Sequence, residues 1–127
     1  MKIWILVFIG GGIGSLCRYL VSRWSAANFW PAYPFFGTFL VNVTGCFLIG
    51  FFVFYFTELR FGASSLPWRL FLVTGICGGY TTFSSFSLEN MQLITANHIF
   101  TFLAYTCASI VLGFLATYTG IILARAM

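Results

Sequence analysis

Charge is what this chain has least of. Only 6% of its 127 residues are Asp, Glu, Lys or Arg, against about 25% in an ordinary soluble domain. Hydrophobic residues make up 61%, and the mean hydropathy is +1.00. Such a chain cannot cover a water-exposed surface, so it is an integral membrane protein. Its six basic residues are scattered, and without a block of them nucleic acid is set aside as a partner. Acidic residues are scarcer still, Glu58 and Glu89 alone. None lies in the first apolar stretch, where proton coupling to a cationic substrate would need one. The single histidine, His98, has no evident serine or cysteine partner in the membrane, and catalysis is not expected. The four cysteines, Cys17, Cys46, Cys77 and Cys107, fall one per apolar stretch, with no C-x-x-C spacing. That argues against a zinc or redox site and favours packing. Tandem repeats and low-complexity tracts are absent as well.

What the chain has is apolar length. A spanning helix needs roughly 20 mainly apolar residues, and four stretches fit: 3–22, 35–57, 67–95 and 99–124. Lys2 before an apolar run resembles a secretory signal, but no A-x-A-like cleavage site follows, so the first stretch is expected to remain as a helix. Short connections at 28–34, 58–66 and 96–98 leave one transmembrane domain over residues 1–127. Trp24, Trp30, Tyr33 and Trp68 fall near predicted helix ends, where amphipathic rings favour the interface. Four crossings put Lys2, Arg60, Arg69 and Arg125 on one side, against Arg23 and Arg18 on the other. The positive-inside rule places the termini in the cytoplasm, but so small a surplus also permits insertion both ways. The Asn42-Val43-Thr44 sequon lies in mid-helix, out of reach of glycosylation.

The third stretch is overlong, and residues 75–89 read GICGGYTTFSSFSLE. Backbone polar groups in hydrocarbon must be satisfied internally, so a helix loosens only where protein or a watery cavity surrounds it. A break is expected here, and such breaks commonly build ion or substrate sites. Phe83 and Phe86 follow it and share a helical face at i, i+3. An aromatic ring is negative on its face and positive at its edge, so ring edges can cradle a small anion without trapping it. Conduction needs such weak, successive sites.

Polar residues elsewhere in the apolar stretches leave alternatives open. Gly10 and Gly14 form a small-xxx-small face for close helix packing. Arg18 either snorkels to an interface or faces a watery vestibule, where it would concentrate anions. Thr38, Asn42 and Gly45 share a face. Asn42 serves either as an interhelical hydrogen-bonding group or as a donor to a passing anion. Tyr105, Ser109, Gly113 and Thr117 recur every four residues. They mark a close-packing stripe or, if they face Phe83 and Phe86, a hydroxyl track.

These motifs resemble one family. Gly11-Gly12-Ile13-Gly14 leading to Arg18-Tyr19 is similar to the first-helix GGxxG…RY pattern of the Fluc (CrcB) fluoride channels. The run from Gly37-Thr38 through Asn42 to Gly45 resembles their GTxxVNxxG segment. Residues 75–86 resemble their GxxGGxTTFSTF signature, with Ser85 replacing a common threonine. The resemblance spans all four stretches.

What the resemblance implies is specific. The fold would be an antiparallel, dual-topology homodimer of four-helix subunits with a broken third helix, in the bacterial cytoplasmic (inner) membrane. Two pores would run along the dimer, lined by both subunits. Phe83 and Phe86 would border the fluoride path, Asn42 would reach them, and Arg18 would sit in the vestibule. Ser109 and Thr117 would supply the polar track, with Tyr105, Thr38 and Ser84 beside it. Gly113 stands where some relatives have serine, which thins that track. Carbonyls of Gly78 and Thr81 from both subunits would hold a structural Na⁺ on the dimer axis. The activity would be passive export of toxic fluoride. A small multidrug exporter, also a four-helix dual-topology dimer, relies on a first-helix glutamate that is missing here. A purely structural assembly factor would leave the third-helix break without a purpose.

Overall fold

The structure, a computed structural model, describes residues 2–30 and 32–127, apart from the side chain of Glu58. Met1 and Pro31 lie outside the described residues, the latter within the connection expected between the first two helices. The chain is helical in its spans, apart from one interruption in the third. Helix α1 (Ile3–Phe29) runs past the expected end at 22, because nothing between Ser22 and Phe29 breaks a helix. Helix α2 (Phe36–Tyr55) and the last helix, α7 (Ile99–Ala126), lie within two residues of expectation. Among the described residues these three helices are long and apolar enough to cross a membrane.

The expected loop at 58–66 is instead wound into short helical turns. Helix α3 (Glu58–Phe61) is followed by a 3₁₀ turn (Gly62–Ser64) and α4 (Ser65–Arg69). Gly62, with φ of +54°, supplies the reversal between them. From there the chain enters a π-helical segment (Leu70–Cys77) and a last turn, α5 (Gly78–Tyr80). The helix then stops. Thr81 and Thr82 are extended, with ψ of 158° and 118°, and α6 (Phe83–Thr95) starts afresh. Thr82 caps the new helix, its hydroxyl accepting from the amide of Ser85 at 3.2 Å. The break expected within residues 75–89 therefore falls at these two threonines. Asn97 (φ 60°) turns the chain into α7.

Helix α2 packs along α7, and α1 packs along the π-helical segment. The second contact depends on small residues. A Cβ on Gly14 would overlap the Ile76 carbonyl oxygen and lie 2.8 Å from the Tyr80 amide nitrogen. Gly10 meets Gly75 in the same seam. The glycine face of α1 thus does the packing that its spacing suggests, and it presses α1 against the residues that lead into the break.

Candidate functional site

At the break, two peptide groups lose their helical partners, and side chains from other helices replace them. The Thr82 amide would donate to the Gly78 carbonyl in an unbroken helix; here it donates to Asn42 Oδ1 at 2.8 Å. Asn42 Nδ2 donates back to the Thr82 carbonyl at 3.0 Å. One carboxamide on α2 therefore pairs with the backbone of Thr82 much as a neighbouring strand would. From α1, Arg18 Nη1 donates to the Thr81 carbonyl at 3.1 Å. The Thr81 amide and hydroxyl both return to the Cys77 carbonyl at 3.0 Å.

Beside the break lies an open cleft of about 390 Å³. Its wall includes Asn42, Gly78, Thr81, Phe83, Phe86 and Ser109. Six of the residues singled out in the sequence, drawn from α2, the broken element and α7, thus line one space. Ser109 is distinctive among them: its hydroxyl oxygen is buried and has no hydrogen-bond partner among the described residues. A buried hydroxyl without a partner is costly, and here it borders the cleft. Phe83 and Phe86 stand with ring centroids 5.9 Å apart. Phe83 is 79% exposed, so its ring projects from the chain.

The other expected site residues are placed differently. Thr38 donates to Glu89 Oε1 at 2.6 Å, and Tyr105 donates to Glu89 Oε2 at 2.8 Å. A hydroxyl has one proton to give, so neither is a free donor. Instead they suspend the Glu89 carboxylate between α2 and α7. Tyr105 in turn meets Phe86 edge-on at 5.2 Å, which links the carboxylate to the orientation of that ring. Thr117 donates to the Gly113 carbonyl of its own helix at 3.0 Å. Ser84 is exposed and lies 3.1 Å from the Thr82 hydroxyl. Glu89 had no role from sequence. Its one signal was being ionisable within an apolar stretch, where such residues are rare and usually partnered.

The carbonyls of Gly78 and Thr81 have the chemistry a hard cation takes. The Gly78 carbonyl has lost the Thr82 amide, and the Thr81 carbonyl, bonded to Arg18, keeps a second lone pair. Carbonyls freed by unwinding are the donors that suit Na⁺. Two oxygens from one chain are fewer than a hard cation takes, so a second copy would have to supply the remainder. Among the described residues no cluster of His, Cys, Asp and Glu has metal-binding character.

Comparison with known proteins decides the family. The model of the CrcB-like protein, Camphor Resistance (CrcB) family matches residues 5–121. The chain belongs to the CrcB family. Its relatives include a fluoride-specific ion channel FluC of Rhizobium meliloti (strain 1021), 48% identical over 97% of this chain and 96% of that protein. A FluC of Flavobacterium psychrophilum is 42% identical over 98% of both chains. Another, of Chlorobium luteolum, is 48% identical over 95% of this chain and 91% of its own. These CrcB relatives carry the name of channels, not of enzymes, in keeping with a sequence that has no nucleophile–base pair.

Proposed function

We propose that this chain forms a fluoride-selective passive channel that exports fluoride from the bacterial cytoplasm, with two pores per antiparallel dimer. The observation that carries the reading is the unpartnered Ser109 hydroxyl in the same cleft as Phe83, Phe86 and Asn42. A donor without a partner, aromatic edges and a second amide proton on Asn42 suit a small, strongly hydrogen-bonding anion. The relatives named as fluoride-specific channels fit that chemistry.

The polar track runs from Ser109 towards Thr117, with Gly113 as a gap between them. Thr38, Tyr105 and Ser84 border the route, the first two through Glu89. The broken element makes the fourth crossing. Helix α6 alone, with 13 residues, rises about 20 Å, short of a hydrocarbon core of about 30 Å. Both pieces together are long enough. Membrane physics calls for the dimer: Gly78 and Ser84 are exposed in the single chain, and open polar backbone is not tolerated against lipid. A second, inverted copy covers the break, and carbonyls of Gly78 and Thr81 from both copies hold a Na⁺ that pins the two breaks together.

No coupling is needed. Hydrogen fluoride crosses lipid as a neutral acid and ionises in the less acidic cytosol. An inside-negative membrane then drives the anion out with about 2.3 kcal/mol per charge per 100 mV. The test is efflux from proteoliposomes, read with a fluoride electrode after a potassium ionophore releases the opposing voltage. Fast efflux with fluoride and none with chloride is expected. Absence of fluoride efflux from verified folded dimers overturns the proposal.

A further inference from the structure

Arg18 sits in the same seam as the glycines of α1. Gly10, Gly14 and Arg18 follow one another at intervals of four, so they lie on one helical face. At Gly14 that face is in backbone contact with Ile76 and Tyr80. One turn further on, the guanidinium reaches Thr81, 63 positions away, and donates to its carbonyl at 3.1 Å. The side chain is half-buried there. Arg18 and Asn42 Oδ1 hold the two ends of one peptide group, the Thr81 carbonyl and the Thr82 amide, and Asn42 Nδ2 holds the carbonyl of the next.

We propose that Arg18 is a positioning residue, which clamps the Thr81 carbonyl and, with Asn42, fixes the two extended residues from which Phe83 is launched into the cleft. Its work is done through a directed hydrogen bond and not as a diffuse charge at a pore mouth. The two roles differ in what they demand of the side chain. A steering charge is met by any cation and is screened by salt. The clamp needs the reach of a guanidinium, whose terminal nitrogens extend beyond the ammonium of a lysine. Salt has little influence on a bond made inside the protein.

Cys77 provides an independent readout, because its carbonyl accepts both the amide and the hydroxyl of Thr81 while its side chain is only 1% exposed. If the clamp loosens, the turn carrying Cys77 opens. The experiment uses full-length Arg18→Lys and Arg18→Gln proteins, reconstituted at less than one channel per vesicle. The fraction of vesicles that empties counts working channels, and the emptying rate gives flux per channel. In both variants flux per channel is expected to fall at least about tenfold, as loss of a charge-assisted hydrogen bond implies, by the same factor at low and high ionic strength. N-ethylmaleimide should also modify Cys77 faster than in the wild type, as read by peptide mass mapping. Wild-type flux in the lysine variant, or a defect in the glutamine variant that vanishes at high salt, would overturn the clamp in favour of steering. So would unchanged Cys77 labelling, or a fall only in the fraction of vesicles that empty. Should the glutamine variant fail to assemble, the lysine variant decides alone. The flux measurements rest on the channel proposal but the Cys77 measurement does not. A wild-type protein that passed no fluoride would sink that proposal and leave labelling to judge the clamp.

Discussion

The carboxamide of Asn42 is committed to backbone before it can serve any ion. Both its oxygen and its nitrogen bond Thr82, so the two alternatives that its sequence position left open are not exclusive. One amide proton holds the break, and one remains. Phe83 is the opposite case. The residue is 79% exposed and contributes little to the packing of its own chain, so its replacement separates transport from folding. Phe83→Ile should leave thermal unfolding in detergent within about 0.5 kcal/mol of wild type, as for a surface position. Fluoride flux should fall at least about tenfold, a barrier rise of about 1.4 kcal/mol. Undiminished flux would remove Phe83 from the route. Glu89 shows how a carboxyl group settles in an apolar bundle: two hydroxyls from two helices bond it in place of water.

The elements owe their arrangement to where side chains are missing. The third element can bend around its break because α1 comes close enough to support it, and glycine makes that approach possible. Gly14→Ala should displace α1, since the new Cβ would meet backbone atoms of Ile76 and Tyr80 that cannot rotate away. A loss of about 1–3 kcal/mol is the usual cost of such overpacking, seen as earlier thermal unfolding or loss of the folded species on gel filtration. Gly113→Ala makes the matched control. Its Cβ would lie 3.6 Å from Cys46 Sγ, an ordinary contact, and exchanging glycine for alanine inside a helix gains up to about 1 kcal/mol. Equal behaviour of the two variants would show that the α1 seam is looser than the structure has it. Space therefore does not exclude a side chain at position 113.

For the whole molecule, the cleft matters most because it is open. A groove carrying the exposed Gly78 faces out of the single chain, where lipid could not hydrogen-bond its backbone. The protein component in mild detergent should therefore sediment at twice 14.2 kDa as measured by analytical ultracentrifugation. A stable monomer that still carried fluoride would refute the two-copy pore. The charge surplus between the two sides is too slight to enforce a single orientation, which is compatible with an inverted pair.

Much of this was legible in the sequence, because hydropathy and helical period are local properties. Membrane residence, the long helices, the region of the break and the shared face of Phe83 and Phe86 each depend on residues within a turn or two of one another. The turns at 58–66 are not legible there, because a polar, glycine-containing connection reads as a loop whether or not it winds. The partners were not legible at all. Asn42 and Thr82 are 40 positions apart, Thr38 and Glu89 are 51, and Arg18 and Thr81 are 63. No periodicity connects such residues. Sequence by itself determined which polar groups are buried in an apolar chain, since composition and hydropathy set that. Only the tertiary structure decided which of them are spent on each other and which, like the Ser109 hydroxyl, have no partner among the described residues, because hydrogen bonds are short and directional and exist only once helices have docked.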